Sequence, residues 1–232
     1  MNRFVALGRR RWAMALGVAL TLVVVGLTVG RRVMTKAGAS ENRAVLAGLL
    51  DEFERNRAVT GAADEGLAGL VTATATFLAI RTDDPVTLDS VTELIASLHL
   101  DLPDGSASDV FDSLLEDEGL RLVEDDRLNQ RLLAWSVLRQ QVQDYLESLG
   151  RRHDLEVDPA LRQRFPLHFV TAHKDDEAVF DGDPLGVLHD ETVREALAGS
   201  LTAAERAREG VRRLGDAEDE IIAQVRAELA GR

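Results

Sequence analysis

Two histidines and two aspartates crowd a short stretch of this chain: His168, His173, Asp175 and Asp176, with His189 and Asp190 farther on. Imidazoles and carboxylates together suit zinc, manganese or iron, and a metal so held can activate water for hydrolysis. The spacing limits how they can meet. His-x-x-x-x-His puts the two rings on opposite sides of a strand, or about 140° apart on a helix, so only a loop can converge them. A metal-dependent hydrolase using His168, His173 and Asp175 is therefore one function class, against a plain surface loop. Asp181-Gly182-Asp183 resembles the start of a calcium loop but lacks its remaining ligand positions.

Other chemistries find little support. The chain has no cysteine, and its lysines are Lys36 and Lys174, which leaves almost no thiol or amine nucleophile. The nucleophile elbow, the phosphate-binding loops and the His-Glu-x-x-His zinc motif are all missing. Acids cluster at Glu116-Asp117-Glu118, at Glu124-Asp125-Asp126, and at Asp216 with Glu218-Asp219-Glu220. All three read as solvated helix edges or turns, with Asp125 and Asp126 suited to the positive end of a following helix. No catalytic residue and no cofactor is expected.

The elements that would position such groups are helices. Val45, Leu46, Leu49, Leu50 and Phe53 recur at helical spacing against Asp51, Glu52, Glu54 and Arg55. Gly61 and Gly66 weaken the next turns, and apolar character resumes from Leu67 to Ile80 before Asp83-Asp84-Pro85 ends the segment. A short helix is expected over about 88–98, and another after the capping-box pattern Ser106-Ala107-Ser108-Asp109. Leu128, Leu132, Trp135, Leu138, Val142, Tyr145 and Leu149 form the clearest apolar stripe. Trp135 should bury against the Ser40–Arg57 helix or the C-terminal helix. Periodicity fails between Asp154 and Asp190, where 165–170 reads as a short extended run and 174–188 as loop. Helix returns from Glu191, with Gly199, Gly210 and Gly215 as points where it can divide. An antiparallel helical bundle over 40–232 follows, in an all-α chain.

Ahead of that bundle, Trp12 to Gly30 are nineteen residues without a charge, bracketed by Arg9-Arg10-Arg11 and Arg31-Arg32. As a helix they extend about 28 Å, close to the hydrocarbon thickness of a bilayer. The chain thus divides into a basic cytoplasmic tail (1–11), a transmembrane helix (12–30), a juxtamembrane segment (31–39) and an outer domain (40–232). Seven cations and no acid precede Ala37, while the remaining 20 cations and 40 carboxylates give the rest −20. So acidic a body argues against nucleic acid as a partner and confines lipid contact to the anchor. Basic residues balance across the span, so orientation rests on the arginine-rich tail, which is costly to translocate. The expected location is the inner (plasma) membrane, N-terminus inside and residues 37–232 outside the cytoplasm. Ala37-Gly38-Ala39 resembles a cleavage site, but it follows the apolar run too late for a signal peptide. Ala15, Ala19, Gly26 and Gly30 share one face of the span, and Gly26 and Gly30 form a Gly-x-x-x-Gly pair that favours a homodimer.

The order of features, with the Leu-rich Ala44-Val45-Leu46-Ala47-Gly48-Leu49-Leu50-Asp51-Glu52-Phe53 followed by Phe111-Asp112-Ser113-Leu114-Leu115 and Gly119 to Leu132, resembles a family of small bacterial single-pass membrane proteins of uncharacterised function. The resemblance rests on apolar positions and one glycine, and it implies an anchored helical domain with no catalytic residues. Three function classes remain: an outer domain that binds a protein partner or organises the envelope, the metal-dependent hydrolase, and a ligand-sensing domain. Eleven residues inside leave no room for an output domain, so a sensor would act through a separate membrane partner.

Overall fold

Steps of three and four residues, repeated over many turns, keep one face of a helix turned toward a partner. Helix α1 (Lys36–Ala79) has this pattern in the buried residues Leu46, Leu49, Phe53, Asn56, Thr60, Ala63, Leu67, Leu70, Thr74 and Phe77. The structure is a computed structural model that describes residues 36–81, 83–99, 109–116, 123, 125–165 and 185–231. Among these residues there are helices and turns and no strand. After α1 come α2 (Leu88–Ala96), α3 (Asp109–Glu116), α4 (Asp126–Arg152), a π turn (His153–Val157), α5 (Asp158–Arg164), a 3-10 turn (Gly186–His189) and α6 (Glu191–Ala230).

Three of these helices make the bundle. At 1.5 Å per residue α1 and α6 extend about 66 and 60 Å, and they lie antiparallel, as the pairs Glu54–Arg226, Arg57–Asp219 and Asp64–Arg208 require. Helix α4 is also antiparallel to α6: Trp135 meets Glu218, while Val142 and Tyr145 lie against Gly210. The core runs along this three-helix seam, with Phe53, Phe111 and Trp135 among its largest buried side chains. A second cluster closes one end, where Phe77, Val91, Ile95, Leu161, Phe165, Val187 and Leu188 pack together. Arg194 ties that end by donating to the carbonyls of Leu188 and Leu78, at 2.9 and 2.5 Å.

Several expectations change. Gly61 and Gly66 do not interrupt α1, nor do Gly199, Gly210 and Gly215 divide α6. Two of the latter are close-approach residues: a Cβ on Gly210 would stand 3.2 Å from Tyr145 Cδ2 and 3.3 Å from Val142 Cγ2, and one on Gly199 would run into the Arg152 guanidinium. Tertiary packing thus outweighs the roughly 1 kcal/mol that glycine costs a helix. Helix also continues beyond Asp154 through the π turn and α5, where Pro159 fits the first turn and Val157, Ala160 and Leu161 are buried. The helix expected at 88–98 ends at Ala96, and Thr87 closes its start with a capping box to Ser90.

Among the described residues no helix is long and apolar enough to cross a membrane. The apolar stretch Trp12 to Gly30, with its face of Ala15, Ala19, Gly26 and Gly30, lies outside the described residues, as do the Ser106-to-Ser108 part of the capping pattern and Gly119.

Candidate functional site

The metal candidates His168, His173, Asp175 and Asp176 also lie outside the described residues, as does Asp181-Gly182-Asp183. Of their neighbours, His189 ends the 3-10 turn exposed, while Asp190 caps α6 by accepting from the Val193 amide at 3.1 Å and pairs with Arg164 at 2.7 Å. Among the described residues no three histidines or carboxylates gather in a way that would hold a metal ion. Asp125 is the N-cap of α4, accepting from the Arg127 amide at 2.7 Å and from the Gln224 side chain at 2.5 Å.

The chemistry concentrates instead inside the bundle. Asp216, Asp219 and Glu220 are exposed, but Glu218 is fully buried in mid-α6, a correction to its reading as a solvated edge. Buried α6 residues step through Val193, Leu197, Ser200, Ala204, Ala207, Val211, Leu214, Glu218, Ile221 and Val225, so a carboxylate occupies a seam position. Trp135 Nε1 donates to Glu218 Oε1 at 3.3 Å, and the other oxygen, Oε2, is buried without a hydrogen-bond partner. Burial pushes the Glu218 carboxyl up to about 7; the Thr60 hydroxyl, the Trp135 indole and the Arg57 charge oppose that rise, and Asp219 adds to it.

Two more polar seam residues carry unmatched atoms, one of them over the same tryptophan. Asn56 takes a seam position of α1 at 1% exposure, and neither its amide nitrogen nor its oxygen has a hydrogen-bond partner. Arg139, on the seam of α4, lies with its guanidinium carbon 5.2 Å from the Trp135 ring centroid and has Nη1 buried without a hydrogen-bond partner. Phe53 and Phe111 pack on the indole at 4.7 and 5.3 Å between ring centroids. Each long helix therefore supplies one polar seam residue with an unmatched atom to a level otherwise filled by aromatic rings. Unmatched buried polar atoms cost stability, so a level with several is a place where the bundle is least settled.

Glu52 is a second correction. The periodicity set it on the polar face of α1, yet it is fully buried and caps α3, accepting from the amides of Val110 at 2.7 Å and Phe111 at 3.3 Å. Burial raises its carboxyl above the ordinary value, those two amides pull it back, and Asp109 and Asp112 push it up again. At the other end of the bundle His153 is buried in the π turn, with Nε2 3.3 Å from Asp158 Oδ1. Burial holds its pKa below the usual 6.5, Asp158 opposing.

The signal for the central residues was present in the spacing. Leu214 to Ile221 is a step of seven residues that Glu218 divides, and Phe53 to Ala63 is a step of ten that Asn56 and Thr60 divide. Polar residues at seam positions of a three-and-four repeat are the mark to look for. Compared with protein families, with curated proteins and with solved structures, the chain matches none.

Proposed function

We propose that this chain is a single-pass membrane protein of the inner membrane, and that its acidic helical bundle, outside the cytoplasm, serves protein interaction or envelope organisation rather than catalysis. The observation that carries this reading is α1. Five residues separate Gly30, the end of the apolar stretch, from Lys36, where a helix of 44 residues begins and runs through the bundle against α6. An anchored arm of that length presents a partner-binding surface some tens of ångströms along its axis. Lipid contact belongs to Trp12–Gly30, and pairing of two copies to Ala15, Ala19, Gly26 and Gly30.

The test is photo-crosslinking in intact cells from Val137 and Leu155, apolar side chains that are 66% and 75% exposed. Discrete adducts with one membrane or envelope protein, lost when exposed acids beside them are reversed in sign, would support the reading. Absence of any adduct from either position in membranes that contain the protein would overturn it.

A further inference from the structure

The level of the bundle around Trp135 asks for a role that packing does not give it. The pairs Glu54–Arg226 and Arg57–Asp219 bracket the register of α1 on α6 and set Asn56 level with the turn from Glu218 to Ile222. The Trp135–Glu218 hydrogen bond brings α4 to the same level. Were Asn56, Thr60 and Glu218 apolar, the seam would run unbroken at this level, since Phe53, Ala63, Leu214 and Ile221 flank them. A buried polar residue in such a seam lowers stability and in return makes the packing conditional on its state.

We propose that Thr60, Trp135 and Glu218 form a proton-controlled clasp across the three long helices, closed when the Glu218 carboxyl holds its proton and loosened when it does not. In the neutral state the carboxyl keeps the indole donor on Oε1 and the Thr60 hydroxyl beside it, and its proton can sit on Oε2, which has no competing partner. In the ionised state a carboxylate must remain inside an apolar seam or draw the helices apart to reach water. The proton passes to and from bulk solvent, with no other chemical change.

The charges around this group are few. From α1 it faces Arg57, which is committed to Asp219 at 3.0 Å, and the uncharged Thr60. From α4 come Trp135 and the Arg139 guanidinium over the indole, while Arg131 is directed to Glu220 and Gln224. On α6 itself the neighbour is Asp219, whose negative charge favours the protonated form. Among the described residues no cation is seated on the Glu218 carboxylate to hold it ionised, and burial has already brought its pKa to about 7, where neutral solution can switch it. The clasp is independent of which partner meets the outer faces of the bundle.

The experiment uses the full chain in detergent with Trp12→Phe, which leaves Trp135 as the sole tryptophan. Its emission is followed from pH 5 to 9, with amide exchange over 53–60 and 214–222 corrected for the intrinsic rate. The expected result is a transition with its midpoint close to 7, faster exchange on the alkaline side, and both effects abolished by Glu218→Gln. Thr60→Val should keep the transition and raise its midpoint, since the ionised carboxyl loses a hydroxyl donor, and this variant decides the matter if Glu218→Gln does not fold. A flat profile in the parent chain, a transition unchanged in Glu218→Gln, or an unmoved midpoint in Thr60→Val would overturn the clasp.

Discussion

The indole nitrogen of Trp135 donates to the Glu218 carboxylate across 3.3 Å, and both residues are fully buried. One contact thus joins the largest side chain of the core to its most expensive one. The tryptophan also carries Phe53, Phe111 and Arg139 around its ring, so it links α1, α3, α4 and α6.

Replacing Trp135 should therefore be costly in two separable ways. Trp135→Ala is expected to lower stability by about 3–5 kcal/mol, as large aromatic truncations in cores do. Trp135→Phe keeps much of the volume but removes the donor, so its loss should be smaller and should shrink further when Glu218→Gln is added. Denaturant melts of the full chain in detergent check both, and a Trp135→Ala melt equal to the parent would show that the stripe carries no packing.

Stability should fall as pH rises through the neutral range. Folded Glu218 keeps its proton up to about 7, whereas its ordinary value is 4.5, so between those values the folded state binds more protons. Its contribution is complete below 4.5 and gone above 7, a difference on the order of 3 kcal/mol at full effect. Glu52, also raised, acts with the same sign. His153, lowered by burial, acts oppositely: its contribution is present above 6.5 and is lost as pH falls through its folded value. Melts across pH 4.5 to 8.5 should slope downward in the parent and flatten in Glu218→Gln; an equal slope in both would remove Glu218 from the account.

Two glycines should respond in opposite directions to an added side chain. Gly69 has nothing within 4 Å of an added Cβ, so Gly69→Ala should stabilise α1 by about 0.5–1 kcal/mol. A Cβ added to Gly210 would stand 3.2 and 3.3 Å from Tyr145 and Val142, tighter than ordinary contact. Gly210→Val should cost about 1–3 kcal/mol through overpacking. Thermal melts of the two variants side by side are sufficient, and a stabilising Gly210→Val would show that α4 and α6 pack more loosely than described.

The helical class and the face of α4 were legible, because Leu128, Leu132, Trp135, Val142 and Leu149 follow a spacing that needs no knowledge of the partner. Asn56 and Glu218 show in the sequence only as polar residues standing in that spacing, and Glu52, off the spacing, does not show at all. Whether Glu52 or Glu218 is solvated depends on what the opposite helix brings to it, and local pattern treats any acid as exposed. The same reason explains the glycines, which looked like breaks but are points of close approach at Gly199 and Gly210. The helix over 154–164 is hidden in the sequence because its buried residues follow a π turn, which shifts the helical phase by one residue and breaks the period.

The central claim, a bundle held on the outer face of the membrane, can be measured directly because the chain contains no cysteine. Single substitutions Val137→Cys and Leu155→Cys place a lone thiol at exposed positions on α4 and in the π turn. In intact cells with only the inner membrane closed, a membrane-impermeant maleimide should label both, with the protein recovered in the membrane fraction. Labelling that appears only after the membrane is broken, or recovery of the labelled protein free of membranes, would contradict the account.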